Sequence, residues 1–338
     1  MTQTFDIIKL SFTGPLHLSK GKNDYDSSEV MVHSDTLKSA LFSCAIQLFG
    51  EEDIDRGFLD AFQVSSTFPY VGEQLFFPKP LKDLYLFEDV NDDNLKAVKK
   101  IAYLSQGAFE KVINGAKLKY KQSGTKNKSA FYADGDAVPE SLFQSSVAQR
   151  VSLLRFQEDS SKNRLFYMDK LYFKKGAGLY FILDIKEESY RHKIESALKL
   201  LKDNGLGTDR NIGQGQFKST KESLTLNIPD TATECLSLSL FCPLNESNLP
   251  SITGSSYKLK KRGGWISSPS NDSHAGLRKR SVYMFEEGSV FPAKKGADWK
   301  GAIVDLKPGK LPPEIKLQHS IWRDGTPFFI PVNLPKSN

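Results

Sequence analysis

The order strand–helix–strand occurs twice in the first two-thirds of this 338-residue chain, and it limits the fold more than any single residue does. Residues 5–12 (FDIIKLSF) read as a strand. A polar, glycine-containing loop from Gly14 to about Val32 leads to Ser34-Asp35, a helix start whose acceptor side chains suit the first free backbone N–H groups. Leu37, Leu41, Cys44, Ala45 and Leu48 recur at helical spacing, and Phe42, Ile46 and Phe49 widen the stripe to that of a helix packed on a sheet. Residues 65–69 and 75–78 are expected to be short strands. From Leu81 to about Lys175 the pattern loosens around a lysine-rich segment, a Gly/Ser/Lys tract near Gly124, and a hairpin-like pair at about 151–156 and 165–173. A connection this long is usually functional or disordered. Residues 179–185 (LYFILDI) return to a buried strand. Ile194, Ala197, Leu198 and Leu201 then mark a helix that stops at Asn204-Gly205, where glycine takes the left-handed conformation cheaply. Residues 217–228 are strand again.

Strand–helix–strand, a long insertion, then strand–helix–strand is the split βαβ, ferredoxin-like arrangement (RRM-like, βαββαβ). After Pro229-Asp230 strand patterns resume at 235–241, within 282–291, and at 302–306 and 327–331, with weak helical periodicity. The expectation is an α+β protein of two ferredoxin-like halves. The first covers residues 1–230, with the insertion at about 81–175; the second, degenerate, covers residues 231–338.

Bulk properties narrow the function. Hydrophobic content of 39% and charged content of 25% are those of a soluble globular protein, and no apolar run approaches bilayer length. Residues 1–10 mix Asp6 and Lys9 into a strand-like pattern, unlike a signal peptide, so no membrane partner is expected. Cys44, Cys235 and Cys242 are odd in number and far from CxxC spacing, which argues against disulfides or zinc and fits a reducing cytoplasm. The net charge of +6 is mild, but its distribution is uneven. Nine lysines between Lys96 and Lys128 read as a solvated, lysine-rich loop. Lys258-Lys260-Lys261-Arg262 and Arg278-Lys279-Arg280 differ, because Gly263, Gly264 and Trp265 beside them suit phosphate contact plus stacking.

The most informative segment runs from Gly205 to Phe217, GLGTDRNIGQGQF. It follows a helix and opens a strand, the reverse of a dinucleotide loop, and Gly215-Gln216-Phe217 lacks the Gly-Lys-Ser/Thr ending of a nucleotidase loop. What remains is either an irregular capped connection or an anion-binding concavity. In the second reading Gly205, Gly207, Gly213 and Gly215 let the backbone approach a ligand and turn its N–H groups outward. Thr208, Asp209, Asn211 and Gln214 then line the loop, and Arg210 adds a bidentate phosphate contact.

The GxGxxxxxGxGxF loop, between the last helix and last strand of such a domain, resembles the signature of the CRISPR RAMP proteins. The helix start at residues 34–41 (SDTLKSAL) looks like the first helix of the RAMP subunit that caps the guide's 5′ end in type III-A (Csm) complexes. Residues 75–81 (LFFPKPL), 175–181 (KGAGLYF) and 327–332 (PFFIPV) are similar to further segments of that fourth Csm subunit, in the expected order over nearly the whole chain. The resemblance implies a non-catalytic, cofactor-free, metal-free subunit that binds the repeat-derived 5′ tag of the crRNA. It also implies docking to a large polymerase-type subunit and to a RAMP backbone subunit, with target RNA met only through the assembled complex. A thumb-like hairpin, here about residues 147–173, would wedge between tag and guide. Lys20, His33, Ser34, Arg150, Arg155, Arg164, Arg262, Trp265 and Arg280 are the further positions expected on RNA.

The rival readings are a subunit capping the guide's 3′ end and a RAMP endoribonuclease that processes guide precursors. For the nuclease, His17 and His33 are near enough in sequence to converge as acid and base. Residue 177 is Ala where an RNA-recognition motif needs an aromatic, so loops rather than a stacking sheet face are expected to hold RNA, and Tyr180 and Phe181 are assigned to packing.

Overall fold

A computed structural model of the chain describes residues 1–19, 25–82, 86–120, 130–134, 141–152, 164–250, 252–266, 277–293, 299–311, 313, 315, 317 and 319–336. Strand β1 (Thr2–Phe12) leads to helix α1 (Ser34–Phe49), a short helix α2 (Arg56–Asp60), and strands β2 (Phe62–Val64), β3 (Phe68–Val71) and β4 (Gln74–Pro78). The insertion contributes α3 (Leu95–Lys100), β5 (Tyr103–Ser105), α4 (Gln106–Ile113), β6 (Phe131–Tyr132) and a hairpin of β7 (Phe143–Ser152) and β8 (Arg164–Phe173). The second strand–helix–strand unit is β9 (Ala177–Ile185), α5 (Arg191–Asn204) and β10 (Phe217–Asn227). The last third holds β11 (Glu234–Ser237), β12 (Leu259–Arg262), β13 (Val282–Phe285), β14 (Val290–Pro292), β15 (Ile303–Asp305), β16 (Trp322–Asp324) and β17 (Phe329–Val332).

Eight strands form one sheet in the order β10-β1-β9-β3-β4-β5-β6, with β2 also beside β9. Strand alternation sorts its side chains onto two faces. Ile8 and Leu10 of β1 and Leu179, Phe181 and Leu183 of β9 meet Leu37, Leu41 and Cys44 of α1 and Ile194, Ala197 and Leu201 of α5. Phe5, Ile7, Tyr180 and Ile182 face the other way, onto Phe109 and Val112 of α4 and onto Leu236, Val290, Ile330 and Val332 of the C-terminal strands. Strands β14, β11 and β17 form their own three-stranded sheet, but its apolar face completes the core of the first part. The two parts of the chain therefore share a core.

Several expectations change in detail. The lysine-rich segment is not one solvated loop: α3 and α4 lie in it, and Phe109 stacks on Phe77 at 4.5 Å between ring centroids. Burying such a ring is worth about 2–3 kcal/mol, enough to hold a helix whose lysines stay in water. The strand expected at 65–69 is broken, because Ser65, Ser66 and Thr67 link β2 to β3 and spend their buried hydroxyls on backbone and on neighbours. The strand expected at 235–241 ends at Ser237, and that expected within 282–291 is two strands, β13 and β14. Strand β12, legible in the sequence only as a basic cluster, has no apolar alternation to mark it, since Leu259 is followed by three cations in a row. No helix among the described residues is long and apolar enough to cross a membrane.

Candidate nucleic-acid interface

The N-terminus of α1 is where the two parts of the chain exchange charges. His33 stands at the cap position, extended at φ −68° and ψ 150°, with its carbonyl accepting from the N–H groups of Thr36 and Leu37. The capping expected of Ser34 and Asp35 is absent, because long-range partners claim both. Ser34 is buried, its hydroxyl accepting from the Leu240 N–H at 3.0 Å and its own N–H donating to Ser66 Oγ at 2.8 Å. Asp35 is fully buried and accepts from Arg262 Nε at 2.8 Å, Arg262 Nη2 at 3.0 Å and Arg323 Nη1 at 2.7 Å. Burial works against the Asp35 carboxylate, but the two guanidiniums hold it well below the usual carboxylate range. One turn on, Lys38 reaches Asp324 at 3.2 Å, again fully buried.

His33 is committed on both ring nitrogens, Nδ1 to Glu287 Oε1 at 2.8 Å and Nε2 to Glu29 Oε2 at 3.1 Å. Burial favours the neutral ring, yet the two carboxylates outweigh it and raise the imidazole to about 9. Burial likewise pushes Glu29 up, but His33 and Lys260, whose Nζ lies 2.5 Å from Glu29 Oε1, bring it down to about 2. The ring is an imidazolium with both protons spent. His17 is also buried, with Nδ1 donating to the Asp169 carbonyl at 2.7 Å, so the two histidines serve separate partners rather than forming an acid/base pair.

This pair of carboxylates makes a pH prediction. A histidine raised in the folded state stabilises fully below its unfolded value of about 6.5, and that contribution is lost as pH rises through the folded value. The window is therefore about pH 6.5 to 9, and the loss is on the order of 3 kcal/mol. Lys279, which faces the same cluster, runs the other way: burial and Arg323 lower it to about 8, so it adds stability only above that pH. Denaturation midpoints of the wild type should fall between pH 6.5 and 8, whereas those of His33→Gln should stay flat there. Parallel curves would remove the imidazolium assignment.

Beside this charged seam lies a cleft of about 370 Å³. Its floor is the face of α1 carrying Thr36, Ser39, Ala40 and Ser43, and its walls are Glu29 and His33, Gly205 to Gly207 with Arg210, and Arg262 with Lys279. Five expected site residues (His33, Gly205, Gly207, Arg210 and Arg262) thus meet in one place, although they come from three separate parts of the sequence. Lys279 belongs with them. It sits in a basic cluster legible in the sequence, where Arg280 is the residue expected on RNA; Arg280 instead donates to the Asp305 carbonyl at 2.6 Å. Glu29, Glu287 and Arg323 carried no sequence signal, because each acquires its role from a partner more than 200 residues away or from the fold around it.

The glycine loop has a different internal logic from the one expected. Its N–H groups turn largely inward: Leu206 N donates to Gly215 O at 3.0 Å, Thr208 N to His17 O at 3.0 Å and Gly215 N to Pro15 O at 2.9 Å. A side chain at Gly207 would strike the His17 carbonyl, and one at Gly215 would strike Leu206, so these glycines clear space for the chain itself. At Gly213 the space is open. Asp209 takes the left-handed conformation at φ 60° and pairs with Arg150 Nη1 of β7 at 2.5 Å, tying the hairpin to the loop. Arg210 and Asn211 are exposed in a short 3₁₀ turn, and Gln214 is buried. Trp265 is half-exposed and pairs with Arg278 through the backbone. Lys20 and Arg155 lie outside the described residues, and of Arg164 only the backbone, in β8, is described. Among the described residues no cluster of His, Cys, Asp and Glu could hold a metal ion.

Residues 230–332 match the CRISPR Csm4 C-terminal domain. Over 94% of both chains, the sequence is 25% identical to the CRISPR system Cms protein Csm4 of Mycobacterium tuberculosis. Its counterpart in Methanocaldococcus jannaschii is 23% identical over 98% of both chains. In solved structures the fold is shared with a chain of a Csm1-Csm4 cassette in complex with cA4, at TM-score 0.64 and 18% identity over 99% of this chain and 100% of that one. A chain of a Csm3-Csm4 subcomplex from a type III-A CRISPR-Cas interference complex matches at TM-score 0.60 and 18% identity, over 97% and 99%. The mixed α+β fold is shared with these Csm4 chains. The chain is thus similar to Csm4 proteins over nearly its whole length, and its last third matches the model of their C-terminal domain.

Proposed function

We propose that this chain is a non-catalytic structural subunit of a type III-A CRISPR effector complex, which binds the 5′ tag of the guide RNA and links the large subunit to the backbone. The observation that carries the RNA-binding part is the meeting of Gly205, Gly207, Arg210, Arg262 and Lys279 in one cleft over a helix face of small side chains. The cations suit a sugar–phosphate strand, the glycine loop forms one wall beside them, and Arg150 holds the hairpin next to that loop. The linking role is supported by relatives solved as a Csm1-Csm4 cassette and as a Csm3-Csm4 subcomplex. The strand order β10-β1-β9-β3, with α1 and α5 on one face, supports reading residues 1–230 as a ferredoxin-like half. Residues 231–338 are then its degenerate counterpart, and the cytoplasm is the compartment in which such a complex works.

Arg210→Ala should weaken binding of a repeat-derived RNA and lower the salt slope by about 0.7, the value for one phosphate contact on a single strand. An unchanged affinity and slope would make the loop a connector only. Because both ring nitrogens of His33 are taken, purified protein should leave repeat RNA intact with or without metal. Cutting that vanishes in His33→Ala would overturn the non-catalytic reading. Co-expression with the large subunit should give a heterodimer that survives nuclease treatment on a sizing column; separate elution, with tight binding of repeat RNA by this chain alone, would favour a processing nuclease.

A further inference from the structure

On the far side of His33 lies a second cleft of about 250 Å³, which shares Met31 and His33 with the first. Lys79, Lys99, Lys258 and Lys260 line it, with Tyr103 and with Glu286 and Glu287. Strand β12 runs from one cleft to the other. Successive side chains on one face of a strand lie about 6.6 Å apart, and Lys260 and Arg262 occupy the face of β12 that meets Glu29 and Asp35. Lys258 precedes them at the same spacing of two. Lys258 and Lys260 line the second cleft and Arg262 the first. The clefts are separated by the Lys260–Glu29 ion pair, with Met31 and His33 at its side.

We propose that the second cleft is a further RNA subsite, in which the single strand held in the first cleft continues along β12 with its phosphates on Lys258, Lys260 and Lys99. This rests on the reading of the first cleft as an RNA site. A regular row of cations along a strand matches a ligand with regularly spaced negative charges, and an exposed lysine can follow a flexible sugar–phosphate backbone without a fixed geometry. Lys99 of α3 and Lys258 just before β12 are both exposed, so two separate elements present cations to a strand in this cleft. Lys260 would exchange Glu29 for a phosphate as the strand crosses the divide. An acidic segment of a protein partner could use the same lysines, but nothing in such a segment would require continuity with the first cleft.

The test uses the full-length chain, oligouridylates of 4 and 12 nucleotides, and fluorescence anisotropy at 50 and 100 mM salt. A 4-mer is short enough to sit at the first cleft alone, and a 12-mer is long enough to occupy both clefts at once. Lys99→Glu/Lys258→Glu should bind the 4-mer like wild type, bind the 12-mer about tenfold more weakly, and show a 12-mer salt slope lower by roughly one unit. Both residues are exposed, so their replacement leaves the core untouched, and Lys99→Ala/Lys258→Ala should show the same length dependence at smaller size. Unchanged 12-mer binding would overturn the proposal, including the case in which the variant instead fails to hold a protein partner. Equal weakening at both lengths, the mark of a general field, would overturn it too. Arg210→Ala separates this from the first reading: if it weakens both oligomers while Lys99→Glu/Lys258→Glu does nothing, only the second subsite falls. If the wild type does not bind the 12-mer, both readings fall.

Discussion

Gly215→Ala should leave little or no folded protein, whereas Gly213→Ala, two residues away, should be tolerated. Both glycines have left-handed backbones, at φ +73° and φ +79°. A non-glycine residue there costs about 1–2 kcal/mol, so that part of the effect is common to both variants. The difference is space. A methyl group at Gly213 meets nothing within 4 Å, but one at Gly215 would penetrate the carbonyl oxygen of Leu206 and crowd its C and N atoms at 2.9 and 3.0 Å. Backbone cannot rotate away as a side chain can, and this backbone is pinned from two directions. Leu206 N donates to Gly215 O, and Gly215 N donates to Pro15 O. Relieving the clash breaks both bonds and pulls the end of α5 from β10, and with them Leu206 and Phe217 from the core. Soluble yield and thermal midpoint of the two variants, measured side by side, decide the matter. Midpoints within a few degrees of each other would mean that the loop is loose, and that its glycines serve no packing role.

The same loop shows how far sequence reading reaches. Its place between helix and strand was legible, because Asn204-Gly205 is a helix stop and residues 217–228 alternate. The reason for its glycines was not, since their neighbours are Pro15 and His17, brought alongside only when β1 and β10 pair along their full length. Helix α1 shows a similar limit. Of the stripe read by spacing alone, Leu37, Leu41, Cys44 and Ala45 face the core, whereas Leu48 near the helix end is exposed. Ser34 and Asp35 looked like a local cap because acceptors at a helix start usually act locally. Here they act over more than 200 residues, on Leu240, Arg262 and Arg323. A local pattern cannot tell a cap from a long-range partner. The basic cluster at 258–262 was visible as charge, yet its division into inward Lys260 and Arg262 and outward Lys261, which lies over the Tyr283 ring, needed the strand to be recognised first. Arg262 was expected on RNA, and it does reach the cleft, but most of its hydrogen-bonding capacity is already taken by Asp35 and Thr36. Its part in binding is charge and position rather than a free bidentate grip.

Asp35→Ala should destabilise the chain by about 3–5 kcal/mol, the range found when one member of a buried ion network is removed and the others are left without compensation. Asp35 has no exposed surface, and three hydrogen bonds from two arginines end on it. Without it, Arg262 and Arg323 face each other across the seam, with Lys279 already held down to about 8 by burial and by Arg323. The Lys279 amine would lose its compensating carboxylate and be depressed further. Arg323 retains the Gly263 carbonyl at 3.0 Å, and Arg262 retains Thr36, so neither is stripped of partners, but no carboxylate is left hydrogen-bonded to either, and Glu29 and Glu287 act on Arg262 only through space. Asp35→Asn separates the two parts of the loss. It keeps the volume and one acceptor, so whatever it costs is due chiefly to charge, and it should recover only a minor part of the deficit. Urea midpoints at pH 7 measure both variants, and limited proteolysis between β11 and β17 reports whether the C-terminal strands detach first. They should, since Arg262 and Arg323 lie on β12 and β16 and their anchor lies on α1. If Asp35→Ala stays within about 1 kcal/mol of wild type, the typical scale of an exposed ion pair, the seam is hydrated and the two parts are joined by their shared apolar core alone.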